Sequence, residues 1–167
     1  MVSLIVSVVV IVILGIGELY IRYVRPIVYY KQELKTFATA EVGDIVFFGT
    51  METDYVKAGL DRMQWYVADK QGERLLLVST EAVDGHYYND QIDGPNSWEN
   101  VALRSLLNQY YTDSINQYEK ELVLLTTVET KGNPQYGTAD GTVTQDYMFI
   151  LSAEEVELYF PNAEDRK

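Results

Sequence analysis

The stretch that decides the fold runs from Ser97 to Tyr111 and reads S-W-E-N-V-A-L-R-S-L-L-N-Q-Y-Y. Its apolar residues recur at mostly helical spacing, which predicts an amphipathic helix with one buried face. Ser97 is a residue type that favours the N-cap position, and Glu99 falls in the first turn, where the helix dipole favours an anion. We therefore expect one helix over the whole stretch and build the rest of the domain around it.

Short strand patterns lie on both sides of this helix. The predicted strands cover 44–49, 63–68, 74–79, 124–129 and 144–151, and further helices are predicted over 116–122 and 152–160. The strands at 63–68 and 74–79 form a hairpin with its turn at 69–72. Because 74–79 is nearly all apolar, we expect that strand to be central and covered on both faces. Ser152 and Glu155 have the spacing of a capping box. This mixture indicates an α+β domain of short antiparallel strands and two to three helices.

The first part of the chain is apolar. The sixteen residues from Val2 to Gly17 carry no charge, and the pattern continues to Val24. A helix of that length reaches across a hydrocarbon core of roughly 30 Å. We therefore expect a single transmembrane helix that contacts the membrane through residues 2–24. A cleavable signal peptide and a pilin-like stem are the alternatives, but a basic n-region, a small-residue cleavage site and a pilin processing signature are missing.

Four segments are predicted along the chain. They are a transmembrane anchor over 1–25, a juxtamembrane stalk over 26–41, a globular α+β domain over 42–161 and a polar tail over 162–167. Basic residues follow the apolar segment and none precedes it, so the positive-inside rule places the domain in the cytoplasm. The family resemblance given below points to the opposite side. The predicted location is a single-pass membrane protein whose domain is extracytoplasmic.

Composition excludes several functions. The formal net charge is -12, and of the 25 acidic residues 23 lie after Lys35, together with nine of the thirteen basic residues. Nucleic-acid binding needs clustered Lys and Arg, so no nucleic-acid partner is predicted. The chain has no cysteine and one histidine. Disulfides, thiolate nucleophiles and metal sites built on thiolates or several imidazoles are therefore excluded.

Five segments in a defined order resemble a bacterial family known as domain of unknown function 6273. Its members read W-E-x-S-x-L-R-x-W-L-N followed by F-Y, and later T-x-D-K-V-F-L-L-S. The matching segments are 42–49, 64–67, 75–79, 97–111 and 144–152, so the resemblance spans 42–160. Leu106 stands where the family usually has Trp. The resemblance implies a C-type-lectin-like fold shared with formylglycine-generating enzymes, but their copper-holding cysteine pair is missing here, so their catalysis is not carried over.

Trp98 and Arg104 allow two interpretations. Trp98 is either a stacking platform for a ligand or a core side chain, and Arg104 either binds a ligand carboxylate or forms a buried ion pair. We favour the structural interpretation, because Trp, Leu, Arg and Asn placed around one helix are typical of fold specification. The residues predicted to hold the domain together are Trp65, Trp98, Arg104, Leu106, Leu107 and Asn108.

Tyrosine is frequent in the chain, with fourteen residues. Its side chain offers a large, rigid contact area with a polar tip, which favours a recognition surface. We expect that surface on the loops 81–96 and 131–141, with a protein or a glycan as the ligand. The predicted ligand-binding residues are His86, Tyr87, Tyr88, Asn89, Asp90, Trp98 and Tyr136.

The loop entering the helix also carries oxygen ligands of the kind that calcium prefers. The candidates are Asp84, Asp90 and Asp93, but neither the EF-hand spacing nor a lectin-type triplet is present, so a solvated acidic loop is favoured and no metal or cofactor is assigned.

The predicted function is that of a membrane-anchored, non-enzymatic recognition domain on the bacterial cell surface. Two alternatives stay open. One is an enzyme of unknown class that uses His86 with a loop carboxylate, although no catalytic residue is assigned. The other is an intracellular scaffold tethered to the membrane.

Overall fold

A computed structural model describes residues 15–49, 62–82, 85–89, 97–132 and 136–166 of the chain. The chain divides into two compact units, Met1–Ala40 and Glu41–Lys167. The described part of the first unit is helical, and both sheets lie in the second. The fold is therefore α+β.

The described part of the first unit is a helix with a widened turn. Residues 15–19 are α-helical, Tyr20–Val24 is π-helical, and helix α1 spans Arg25–Thr39 with Pro26 in its first turn. The π-helical turn lies directly before Pro26, which has no backbone N–H to donate and would clash with the preceding turn of a regular helix.

The predicted transmembrane helix is wrong for the described part of the chain. Among the described residues, no helix is both long and apolar enough to cross a membrane. The reason is visible in the sequence, because Glu18, Arg22 and Arg25 interrupt the apolar residues of this helix. The predicted span over 1–25 otherwise falls on residues 1–14, which lie outside the described residues. The fold class is therefore corrected to a small α+β fold.

The second unit begins with a three-stranded antiparallel sheet. Its strands are β1 (Ile45–Phe47), β2 (Gln64–Gln71) and β3 (Arg74–Ser79), in the order β1-β2-β3. The central strand is β2, so the prediction that 74–79 is central and covered on both faces is wrong. Every residue of β3 after Arg74 is only half-buried. The apolar run therefore belongs to a half-buried strand that, among the described strands, pairs with β2 alone.

The hairpin between β2 and β3 is tighter than predicted. Gln71 pairs with Arg74, so the turn consists of Gly72 and Glu73 alone, and β2 runs through part of the predicted turn. Gly72 has a φ of +65°, which a residue without a Cβ adopts at little cost, and a two-residue loop with Gly first is typical of a II′ turn.

A β-bulge lies at Ala68, where the register shifts between Val67 and Asp69. The extra residue breaks the alternation of the strand, so the consecutive side chains of Val67 and Ala68 are both buried. Trp65, also in β2, is half-buried and donates its indole Nε1–H to the carbonyl of Phe48 at 2.8 Å.

The predicted helix over 97–111 starts later than expected. Trp98–Asn100 is a 3₁₀ turn, Val101 is extended with φ −81° and ψ 148°, and helix α2 spans Ala102–Ser114. Ser97 makes no side-chain capping bond. This break lets both Trp98 and Val101 enter the core, with exposures of 4% and 2%. No residue of α2 itself is fully buried. The core residues that this stretch contributes lie directly before the helix and, at Ile115, directly after it.

The remaining elements are short. A 3₁₀ turn covers Glu119–Leu122, strands β4 (Thr126–Glu129) and β5 (Val143–Asp146) form a two-stranded antiparallel sheet, helix α3 spans Ala153–Tyr159 and a final 3₁₀ turn covers Ala163–Arg166. The predicted capping box is confirmed. The Ser152 hydroxyl accepts a hydrogen bond from the Glu155 backbone N–H at 3.2 Å, and the Glu155 carboxylate accepts one from the Ser152 N–H at 2.8 Å.

A fully buried carboxylate joins distant loops. Glu119 has an exposure of 0% and forms an ion pair with Arg62, 57 residues earlier in the chain. Its carboxylate also accepts hydrogen bonds from the backbone N–H of Gly49 and from Asn116. The Asn116 side-chain oxygen in turn accepts the backbone N–H groups of Tyr118 and Glu119, which caps the 3₁₀ turn. A buried charge with this many partners stabilises one arrangement of these loops.

Candidate functional site

The centre of the domain is a second buried carboxylate, Asp146, at the end of β5, with an exposure of 1%. One oxygen, Oδ2, accepts hydrogen bonds from the indole Nε1 of Trp98 at 3.0 Å and from the Thr144 hydroxyl at 2.6 Å. The other, Oδ1, accepts from Arg104 Nε at 2.8 Å and from Asn108 Nδ2 at 3.1 Å. A carboxylate offers about four lone-pair sites, so Asp146 is saturated by the protein.

The partners of Asp146 are themselves tied to the backbone around them. Arg104 donates to the carbonyls of Glu99 at 3.2 Å and Gln145 at 3.4 Å. The Asn108 side chain accepts the backbone N–H of Tyr147 at 3.1 Å. The network therefore joins the 3₁₀ turn, α2 and β5 into one unit.

The charge state of Asp146 follows from these contacts. Burial by itself would raise the pKa of Asp146, but the hydrogen bonds from Thr144, Trp98 and Arg104, together with the positive charge of Arg104, outweigh it and hold the pKa below the ordinary value. The side chain is thus an anion at neutral pH whose bonding capacity is used within the domain. Its geometry is that of a structural centre and not of a group that acts on a substrate.

A groove lies next to this network, with a cavity of about 180 Å³. One wall is the end of β4 and the residues after it, 128–132, and the other is the segment 150–155 that leads into α3. The aromatic residues Tyr88 and Trp98 line it as well. The apolar contribution comes from Val128, Ile150 and Leu151, and the charged one from Glu129, Lys131, Glu154 and Glu155.

The walls of the groove are held by local bonds. Gly132 donates its backbone N–H to the Asp140 carboxylate at 2.8 Å, and Gly141 donates to the Thr130 carbonyl at 2.9 Å. A Cβ at Gly132 would meet the Thr138 carbonyl oxygen at 2.0 Å, so only glycine permits this approach of the two arms of the loop. The opposite wall, 150–155, contains the capping box of α3.

The segment 85–89 is tied to the N-terminus of α2. The Leu103 backbone N–H donates to the Tyr88 carbonyl at 3.3 Å, which satisfies one of the donors that a helix leaves free in its first turn. The Tyr88 side chain stays 39% exposed, and its partial burial raises the pKa of its hydroxyl. The ring is therefore presented at the groove by a fixed backbone.

The charges around Lys131 are unevenly balanced. Its ammonium lies 3.1 Å from the Glu129 carboxylate and 4.0 Å from that of Asp140. The hydrogen bond to Glu129 and its charge raise the pKa of Lys131, and the charges of Asp140 and Glu154 add to the effect, while partial desolvation opposes it. Two carboxylates thus lie within 4.0 Å of the Lys131 ammonium, so the local charge around it is negative.

The predicted ligand-binding residues are placed unequally. Trp98 and Tyr88 line the groove, whereas Tyr87, 83% exposed, and Tyr136, 74% exposed, are presented to solvent. His86 is exposed and Asn89 is half-buried, and neither is among the groove-lining residues. Asp90 lies outside the described residues.

The calcium candidates Asp84, Asp90 and Asp93 all fall outside the described residues. Within the described ranges, no group of three or more His, Asp or Glu side chains is placed to hold a metal ion.

The residues predicted to be structural lie in these contacts to different degrees. Trp98, Arg104 and Asn108 meet at Asp146, and Trp65 bonds to the backbone of Phe48. Leu106 and Leu107 are half-buried on α2.

Sequence reasoning did not identify the residues of β5 in the Asp146 network, nor the acidic residues of the groove. Thr144 and Asp146 belong to the T-x-D part of the family motif, so pairing that motif with the W-E and L-R parts is the signal that predicts the network. Lys131 falls in the loop 131–141 that is predicted as a recognition surface, whereas Glu129 and Glu154 carry no local signal, because nothing in their neighbourhood in the chain indicates that they share a groove.

The fold and the Asp146 network define a class: small α+β domains organised on a buried carboxylate that accepts bonds from a Trp, an Arg, an Asn and a Thr. The sequence model of the family described as "Domain of unknown function (DUF6273)" matches residues 72–167. This range covers more than half of the chain, so the protein belongs to that family, and the predicted family assignment is confirmed. Strands β1 and β2 precede the matched range.

No curated protein and no solved structure matches this chain. The relation to the C-type-lectin-like fold and to formylglycine-generating enzymes stays a prediction.

Proposed function

We propose that this protein is a non-enzymatic recognition domain that binds a protein or glycan partner by taking one residue of that partner into the groove. The observation that carries the proposal is the groove itself, whose lining combines the aromatic residue Tyr88 with apolar and charged residues. The neighbouring ring of Tyr87, 83% exposed, extends the contact area beyond the groove.

The size of the cavity favours one residue of a larger partner over a whole small molecule. Sites for small ligands usually measure about 300–1,000 Å³. The groove has about 180 Å³. A single side chain or one sugar ring fits this volume, and further contacts then come from the surrounding surface.

The non-enzymatic part of the proposal is supported by the use of the buried charges. Asp146 accepts four hydrogen bonds from the protein, and Glu119 is paired with Arg62 and bonded to Asn116 and Gly49. Groups saturated in this way stabilise the fold and have no capacity left to move a proton or attack a substrate.

Binding screens with and without a blocked groove test this proposal. The purified chain is applied to a glycan array and to a library of short peptides, and any binder is measured again with Ala153→Trp. Ala153 is exposed at the start of α3 and lines the groove, so the larger side chain fills the space without entering the core.

The matched control is Leu158→Trp, at a residue of the same helix that is 69% exposed and does not line the groove. We expect Ala153→Trp and Tyr88→Ala to weaken binding at least about tenfold, with Leu158→Trp unchanged. Equal binding by the two Trp variants would refute the groove as the site. The cellular location stays a prediction, which protease treatment of intact cells tests.

A further inference from the structure

The groove has a charge preference as well as a shape. Among the described residues of its lining, three are acidic, Glu129, Glu154 and Glu155, and one is basic, Lys131. Glu155 already accepts the Ser152 N–H in the capping box, whereas Glu129 and Glu154 are exposed at the rim. Lys131 lies 3.1 Å from Glu129 and 4.0 Å from Asp140, so a surplus of negative charge remains among the described residues of the groove.

The apolar part of the lining suits the stem of a long basic side chain. Lys and Arg bury their methylene groups against apolar surface while the charged end stays at a polar rim. Here Val128, Ile150 and Leu151 supply the apolar surface, Tyr88 supplies an aromatic ring, and the carboxylates lie at the rim. Arg and Lys also interact favourably with aromatic faces.

The main chain beside the groove favours a peptide over other basic molecules. Among the described strands, β4 pairs with β5 alone, so one edge of β4 has no neighbouring strand. Val128 and Glu129, the last two residues of β4, line the groove together with 130–132, which follow them. A strand edge of this kind offers backbone donors and acceptors at the spacing of an extended peptide.

We propose that the partner of this domain is another protein, which presents an extended segment along β4 and places one Lys or Arg side chain in the groove between Glu129 and Glu154. This inference rests on the proposed function, because it names the chemical class of the partner at the same groove. It adds that the bound residue of the partner is positively charged and that the segment around it is extended. It also gives Lys131 a role, which is to compete with the incoming cation for the same carboxylates.

The probes are short synthetic peptides of random sequence with one fixed Arg, the same peptides with Glu in its place, and a neutral glycan array. The Arg-containing peptides that bind best are measured against Glu154→Gln, the double variant Glu129→Gln with Glu154→Gln, and Lys131→Gln. Glu157→Gln is the matched control, since Glu157 is exposed on the same helix and does not line the groove.

We expect the double variant to bind the Arg-containing peptides about tenfold more weakly, Glu157→Gln to leave binding unchanged, and Lys131→Gln to strengthen it, because a competing cation is removed. Added salt should weaken binding, since these charges are exposed. A purely structural role for Lys131 would not produce a gain.

Two other results are distinguishable. If glycans or Glu-containing peptides bind in a manner that Ala153→Trp blocks, and the charge variants have no effect, the basic segment is refuted while the groove stands. If the Arg-containing peptides bind and Ala153→Trp has no effect, both proposals fail.

Discussion

Removing the negative charge of Asp146 should destabilise the whole domain. In Asp146→Asn, one oxygen of the side chain becomes an NH₂ group. If that group replaces Oδ2, it faces the indole N–H of Trp98, which can only donate, across a distance that is 3.0 Å in the native domain. If the amide rotates, the NH₂ group faces Arg104 instead. Either orientation leaves a donor without an acceptor, and the partly buried Arg104 loses its counter-charge.

The magnitude follows from burial. Leaving a buried donor unsatisfied costs about 1–3 kcal/mol, and removing one partner of a buried ion pair costs about 3–5 kcal/mol in total. Against a typical free energy of unfolding of about 5–15 kcal/mol, this is a large part of the stability. At about 2–4 °C per kcal/mol for a chain of this size, we expect the melting temperature to fall by roughly 6–20 °C.

Urea denaturation and thermal melting of the purified full chain measure the effect. The matched control is Asp113→Asn, which makes the same chemical change at an exposed residue of α2 that accepts a bond from Gln109 at 3.2 Å. The control should change stability by less than about 0.5 kcal/mol. A loss of under about 1 kcal/mol in Asp146→Asn would refute the assignment of this carboxylate as the centre of the fold.

Three further predictions concern Asp146, Gly49 and Ser152. The pKa of Asp146 is lower in the folded than in the unfolded chain, so its stabilising contribution is present above the unfolded value of about 3.9 and is lost as pH falls through the folded value. Below about pH 4, the free energy of unfolding should therefore fall more steeply with pH for the native chain than for Asp146→Asn. Parallel curves would contradict this. Gly49 and Gly43 both have positive φ, at +69° and +99°, but a Cβ at Gly49 would lie 2.6 Å from the buried Ile115 side chain, while nothing lies within 4 Å of a Cβ at Gly43. In urea denaturation, Gly49→Ala should therefore lose about 1–3 kcal/mol more stability than Gly43→Ala. Equal losses would show that the core has room for a Cβ at Gly49. Ser152→Ala should lose about 1 kcal/mol by removing the capping bond of α3, and Ser152→Thr should retain most of it; if Ala and Thr melt alike, the hydroxyl does not stabilise the helix.

Much of the local structure of this protein is determined by the sequence alone. Alternating and β-rich runs identify β1, β2, β3 and β4, and the spacing of Ser152 and Glu155 identifies the start of α3. The strand signals depend on residue types that favour an extended backbone and on the alternation of side chains along it, and the capping box depends on bonds between residues three apart, which is why a linear pattern contains them.

The tertiary structure alone decided where the helix begins and what the domain is built around. Ser97 and Glu99 satisfy the rules for a helix start, yet α2 begins at Ala102 because Trp98 must reach Asp146, 48 residues away. The bonds of Arg104 and Asn108 to the same carboxylate span 42 and 38 residues. Two further features also depend on contacts between residues far apart in the chain. They are the position of β3 at the edge of its sheet and the groove formed by 128–132 with 150–155. Such pairings depend on how separate elements pack, and a buried charge that must find several partners outweighs the local preference of a capping residue.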